Sequence, residues 1–129
     1  MSTVFIEKEL NDHIKYVNNT GADLAQYEFA VVGPFCGVAD NAIASTEEGY
    51  FHVQEGLHIQ VGSDYMKAAE LTFATLGQAV YFDAANKKFS DTSTAGYYKV
   101  GVLVQTKASD GHIIFEKKRY VEVVPEPAE

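Results

Sequence analysis

GQAVYFDAANKKFSDT, residues 77–92, places two apolar arms around one short polar break. Ala79 to Asp83 alternates as one strand, Ala84 to Lys87 supplies turn residues, and Lys88 to Ser90 begins the returning strand. Aromatic side chains favour pleated, half-buried surfaces, where each cross-strand pair contributes about 0.2–1 kcal/mol. The stretch therefore predicts a β-hairpin.

The same period-two alternation continues on both sides of this hairpin. In the segment that starts at His13, Ile14 and Tyr16 fall on one face, while Lys15 and Val17 fall on the other. Glu55-Gly56 fits a tight turn or bulge between two strands. Further strand-like segments are 27–33, 35–39, 50–62, 97–106 and 112–124.

These segments predict an all-β fold, a single-domain β-barrel or β-sandwich of about eight short strands. At most one short helix is expected, within Ser63–Phe73, with Ser63 or Asp64 as its N-cap. We expect an N-terminal arm over residues 1–12, a β-domain over 13–124 and an acidic, flexible tail over 125–129.

Composition argues against several classes of partner. The 129 residues carry a formal net charge of −8, which disfavours binding to the phosphate backbone of nucleic acid. The runs Lys87-Lys88 and Lys117-Lys118-Arg119 are short and lie in strand-like sequence. No run approaches the ~18 apolar residues of a membrane helix, so no membrane partner is expected. The lone Cys36 lies in an apolar run and is expected to be a core thiol, in a protein that needs no oxidising compartment.

The sequence carries no recognisable catalytic or cofactor motif, which predicts a protein that is not an enzyme and needs no cofactor. There is no Gly-x-Ser-x-Gly elbow to present a nucleophile and no glycine-rich phosphate loop. Asp83, Asn86 and Asp91 lack the ligand spacing of a calcium loop, and turn formation explains them.

The four histidines are the candidate metal ligands of the sequence. His52 and His58 are six residues apart across Gly56 and would face each other only on adjacent strands, so solvent-facing or hydrogen-bonded histidines are favoured. Zinc needs three or four converging ligands, and His13 and His112 lie far away in the chain. The sequence therefore predicts no metal site.

The order of short motifs resembles a family of small tailed-phage and prophage proteins regarded as capsid decoration, or cement, proteins. The resemblance extends from His13 to Val123, and its specificity rests on the order of the motifs. The matching positions are Gly37-Val38-Ala39, Ile43-Ala44 with Gly49, Gly56, Gly77, Val80, Tyr81, Asp83 and Gly101-Val102.

This resemblance implies a protein that binds the outer surface of a phage head and bridges subunits of the major capsid protein. It implies a symmetric homo-oligomer, a trimer, that is synthesised in the bacterial host cytoplasm and resides on the virion. The family brings no catalytic residues. Two alternatives remain: a virion-displayed module that binds a glycan or host surface, and a small enzyme. The aromatic residues, eight Tyr and eight Phe without Trp, would serve the glycan alternative.

The N-terminal arm supplies the one set of candidate contact residues. Thr3, Val4, Phe5 and Ile6 form a β-prone segment that is suited to adding a strand to the sheet edge of a neighbouring subunit. A frayed terminus explains the same segment equally well.

Overall fold

The computed structural model describes residues 13–67 and 72–125, and within these ranges the chain is nearly all β-structure. One 3-10 turn, Ser63–Tyr65, stands between the fifth and sixth strands, and Gly62 takes the N-cap position expected for Ser63 or Asp64. The strands are β1 (His13–Val17), β2 (Phe29–Val32), β3 (Phe35–Ala39), β4 (Glu48–His52), β5 (His58–Val61), β6 (Ala79–Asp83), β7 (Lys88–Ser90), β8 (Tyr98–Gln105) and β9 (Ile113–Val123).

The strands form one antiparallel sheet whose main path runs β1-β4-β3-β9-β8-β6-β7. β2 branches from β3 and β5 branches from β9, so β3 and β9 each pair with three strands. The all-β prediction is confirmed. The sheet is open rather than a closed barrel, because β1 and β7 end the path and do not pair with each other.

The predicted hairpin is confirmed at the predicted residues. β6 and β7 pair in antiparallel register, with Phe82 opposite Phe89 and Asp83 opposite Lys88. The four turn residues end at Lys87, whose φ of 55° lies in the left-handed region. On its other edge β6 pairs with β8, with a register shift between Val80 and Tyr81.

Two apolar clusters share the β2–β3 pair as a common wall. Ala30 and Val32 of β2 belong to the first cluster, together with Phe51. Phe29 and Val31, on the opposite face of the same strand, pack against the second. The second cluster is the larger, and its buried members include Phe73, Phe82, Phe89, Phe115, Leu103 and Ile113. Both faces of β2 are therefore covered, as the continuous apolar run of this strand requires.

β5, the strand that follows the turn at residues 55–56, does not pair with β4. β4 pairs with β1 and β3, whereas β5 pairs with β9. The turn is fastened to β9, because the Gly56 N–H donates to the Lys117 carbonyl at 3.0 Å. The Lys117 N–H in turn donates to the Leu57 carbonyl at 2.9 Å. β4 and β5 are therefore not neighbours, and His52 and His58 do not face each other across adjacent strands.

Candidate interaction surface

A groove separates the outer edge of β2 from the turn of the β6–β7 hairpin, and we call it the hairpin groove. It consists of two adjoining cavities of about 440 Å³ and 360 Å³, which share Phe29, Phe82 and Lys87 in their walls. The Lys87 ammonium lies 2.9 Å from a Glu28 carboxylate oxygen, which ties the hairpin turn to the start of β2. The groove is therefore bounded by an ion pair and floored by aromatic rings.

The floor of the groove is a packed aromatic cluster. The Phe29 ring lies 5.0 Å from Phe82, 5.2 Å from Phe89 and 5.9 Å from Phe115, between ring centroids. Phe82 and Phe89, which are opposite each other in the hairpin, have centroids 4.8 Å apart. Such contacts fix the hairpin against β2 and leave these rings in the core.

A buried carboxylate fixes the hairpin turn. Asp83 accepts a hydrogen bond from the Asn86 side-chain amide at 2.7 Å and another from the Lys67 ammonium. Burial alone would raise the pKa of Asp83, but these hydrogen bonds outweigh it and hold the pKa below its ordinary value. The carboxyl of Asp91 bonds elsewhere, to the Thr72 backbone N–H at 3.1 Å. Asp83 and Asn86 thus stabilise the turn, as the sequence predicted.

Several strands present an unpaired edge, among them β1, β2 and β5. Among residues 13–67 and 72–125, β1 pairs with β4 alone and β2 pairs with β3 alone. An unpaired edge offers backbone N–H and C=O groups to an added strand from another chain. β1 carries the exposed residues Lys15 and Val17 on its outward face.

Besides Tyr50 of β4, which is 53% exposed, exposed aromatic side chains lie at two places on the described surface. Tyr27 and Tyr65, which are 65% and 58% exposed, line the smaller cavity of the hairpin groove. Tyr120, 54% exposed, stacks on Phe35 with ring centroids 5.2 Å apart. The Arg119 guanidinium lies 5.6 Å and 5.9 Å from the centroids of these two rings. Tyrosine and arginine are enriched at protein–protein interfaces, so both places are candidate contacts.

The basic runs noted in the sequence make contacts within the fold. Lys117 is buried, and its ammonium donates to the Gln54 and Lys118 carbonyls, each at 2.9 Å. Burial lowers the pKa of Lys117. The Lys88 ammonium donates to the Asp64 carbonyl. Because these basic side chains bond within the fold, the two runs do not form a continuous basic patch on the described surface.

Cys36 lies in the core, as expected. Its side chain is fully buried, and the thiol donates to the Lys118 carbonyl at 3.0 Å. Burial raises the pKa of the thiol to about 11, so very little of it is thiolate at neutral pH. This cysteine is therefore not suited to act as a nucleophile.

Three residues that lie far apart in the sequence meet at one end of β1. His13 lies opposite His52 in the β1–β4 register, and their ring centroids are 4.2 Å apart. Asp40 is the residue after β3, and its carboxylate oxygen Oδ1 lies 2.7 Å from His52 Nε2, within hydrogen-bond distance. His58 lies elsewhere, 3.5 Å from a Glu116 carboxylate oxygen. The sequence reading missed this cluster, because only the β1–β4 pairing brings His13 to His52.

The sequence-predicted contact residues Thr3, Val4, Phe5 and Ile6 lie outside the described residues. Their role as a strand-adding arm stays a prediction. Among the helical segments of residues 13–67 and 72–125, none is long and apolar enough to span a membrane.

Comparisons with known proteins give one family. Neither the curated proteins nor the solved structures include a significant match to this chain. A family model described as phage cement protein matches residues 8–117, which is most of the chain. The match spans β1 to β8 and the first part of β9, including the hairpin and the unpaired edges of β1 and β2. The chain therefore belongs to the phage cement protein family, and its role is at the phage capsid.

Proposed function

We propose that this protein decorates the outer surface of the phage head and bridges neighbouring subunits of the major capsid protein, so that the head is stabilised. The family match over residues 8–117 carries the proposal. The protein acts as a symmetric homotrimer, is made in the bacterial host cytoplasm, and performs no catalysis. The glycan-binding alternative gains no support from the family.

Bridging requires separate contact surfaces on one molecule, and two candidate surfaces among the described residues support the proposal. The Tyr27–Tyr65 mouth of the hairpin groove and the Phe35–Tyr120 stack belong to different parts of the sheet. A standard interface buries roughly 800 Å² per partner. Several such contacts made at once bind far more tightly than any one alone, because each later contact is intramolecular.

The N-terminal arm is proposed to add one of these contacts. Thr3, Val4, Phe5 and Ile6 are β-prone, and β1 and β2 each present an edge that no described strand covers. Main-chain hydrogen bonds to such an edge give affinity, and alternate side chains give specificity. In this proposal residues 1–12 form the arm, 13–124 the β-domain and 125–129 an acidic tail.

Heads assembled without this protein test the proposal. Full-length protein is added to undecorated heads of the phage that encodes it, and bound copies are counted after sedimentation. We expect saturable binding, greater resistance of the heads to heat, and density on the outer surface in cryo-electron microscopy. Absence of saturable binding contradicts the decoration role, and density inside the shell contradicts the outer location.

The arm is tested in the same assay. A chain lacking residues 1–10 is compared with a chain lacking residues 126–129, which removes four residues from the other terminus. We expect the first deletion to weaken head binding by at least about tenfold and the second to leave it unchanged. Equal occupancy by both truncated chains removes the arm from the proposal while leaving the decoration role intact.

A further inference from the structure

The cluster formed by His13, Asp40 and His52, which we call the His–Asp–His cluster, brings together three side chains of the two types, imidazole and carboxylate, that divalent metals use. The potential ligand atoms of the three side chains all lie within 4.8 Å of one another. His52 Nε2 and Asp40 Oδ1 are 2.7 Å apart. All three side chains are partly exposed, so an ion has access from solvent.

We propose that the His–Asp–His cluster binds one divalent transition-metal ion, with zinc as the best-suited ion. Neutral imidazole nitrogen and carboxylate oxygen bind zinc at about 2.0–2.2 Å, with tetrahedral geometry. Ligand atoms in such a site are roughly 3.3 Å apart. The observed separations, 2.7 Å for one pair and at most 4.8 Å for the others, lie on either side of that value. Two histidines and one carboxylate leave one tetrahedral position for water.

The backbone holds the three ligands in register from three strands. His13 and His52 are directly opposite in the β1–β4 pair, so their side chains project from the same face. Asp40 follows Ala39, which lies opposite Phe51 in the β3–β4 pair. The Asp40 N–H donates to the Tyr50 carbonyl at 2.9 Å, which extends the ladder by one residue. The site is thus largely preformed, and binding requires little ordering of the chain.

An ion in this cluster would link the edge strand β1 to β4 and to the end of β3. Among the described residues β1 pairs with β4 alone, and the proposed ion links its first residue to the end of β3 as well. Ligands that bind the folded state raise its stability by mass action. We expect metal binding to raise the melting temperature and to slow amide hydrogen exchange in β1. This inference does not rest on the proposed role at the phage head.

The competing explanation is a pair of stacked histidines with one carboxylate partner and no affinity for metal. Calorimetric titration of the full-length, untagged protein with zinc chloride in a non-chelating buffer separates the two. The proposal expects saturable binding of one zinc ion per chain. Loss of even an outer-shell partner of a metal ligand costs 10–100-fold in affinity. We therefore expect His13→Gln and His52→Gln each to weaken zinc binding by at least about tenfold.

His58→Gln is the matched control. His58 is also a histidine beside a carboxylate, 3.5 Å from Glu116, but it lies outside the cluster. Its removal is expected to leave zinc affinity within about twofold of the wild type. Asp40→Asn, which keeps the size of the side chain but removes the anionic ligand, provides a third cluster variant. Circular dichroism of each variant before titration establishes that it folds.

Amide hydrogen exchange locates the ion independently of affinity. Zinc is expected to slow exchange in β1 and at the end of β4 in the wild type and in His58→Gln, and to have no such effect in His13→Gln. The proposal is overturned if the wild type shows no saturable zinc binding. It is equally overturned if both His13→Gln and His52→Gln bind zinc as the wild type does, because the ion then lies elsewhere.

Discussion

Gly101, in the middle of β8, allows that strand to approach β9 more closely than any side chain permits. A Cβ built on Gly101 would lie 2.2 Å from the Glu116 carbonyl oxygen and 2.8 Å from a ring carbon of Phe115. Real Cβ contacts are essentially never shorter than 3.0 Å. Gly101→Ala therefore forces β8 and β9 apart by about 0.8 Å, since the clashing atom is backbone and has no alternative rotamer.

The energetic cost follows from this displacement. An N···O separation near 2.9 Å, widened by about 0.8 Å, no longer forms a hydrogen bond. Loss of one net hydrogen bond, one buried polar group left unpaired and the overpacking of Phe115 together cost about 3 kcal/mol. For a chain of this length about 3 kcal/mol lowers the melting temperature by roughly 12 °C.

Urea unfolding followed by far-ultraviolet circular dichroism measures this cost, and Gly62→Ala is the matched control. A Cβ on Gly62 meets nothing within 4 Å, and its backbone is extended, with φ of −76° and ψ of 164°. The control is expected to change the free energy of unfolding by less than about 0.5 kcal/mol. If Gly101→Ala is as stable as Gly62→Ala, the close approach of β8 and β9 is refuted.

Two further predictions concern single titrating groups. Burial raises the pKa of the Cys36 thiol to about 11. Native protein at pH 8 is therefore expected to react with a disulfide reagent at least about a hundredfold more slowly than urea-unfolded protein. Equal rates would show that the thiol is exposed. Asp83 has a pKa held below its ordinary 3.8 by hydrogen bonds from Asn86 and Lys67, so its contribution of about 1.5–3 kcal/mol is present above pH 3.8 and is lost as the pH falls through the folded-state pKa. Asp83→Asn is therefore expected to lower the free energy of unfolding at pH 7 and to approach the wild type in acid. The control Asp64→Asn, at an exposed position, is expected to change the free energy of unfolding at pH 7 by less than about 0.5 kcal/mol. A difference between Asp83→Asn and the wild type that is constant from pH 7 down to pH 2 contradicts the assignment.

Local features of the sequence were sufficient to predict most strands. The hairpin arms 79–83 and 88–90 and the strand 35–39 lie where alternation and turn residues placed them. These elements depend on neighbours in the chain: polar turn residues, aromatic cross-strand pairs and a Gly-Pro break before residue 35. Their prediction required no knowledge of which strands pair.

Pairing partners could not be predicted in the same way. The turn at Glu55-Gly56 has the composition of a hairpin turn, yet it delivers β5 to β9 because its backbone bonds to Lys117, about sixty residues later. The His–Asp–His cluster was missed for the same reason. Its members are separated by 27 and 12 residues, and no spacing rule connects them until β1 is placed beside β4.

The proposed arm and the His–Asp–His cluster meet at His13, where the β-domain begins, but they depend on different chemistry. The arm needs the side chains and backbone of residues 3–6, whereas the cluster needs three side chains that project from the sheet. Removing residues 1–10 leaves every ligand in place, so a truncated chain that keeps its zinc affinity but loses head binding assigns the lost contact to the arm itself. His13→Gln leaves the arm intact. If this variant loses head binding both with and without added zinc, a capsid contact lies on the outward face of β1. Zinc-dependent head binding would instead mean that the ion fixes the direction in which the arm leaves the sheet.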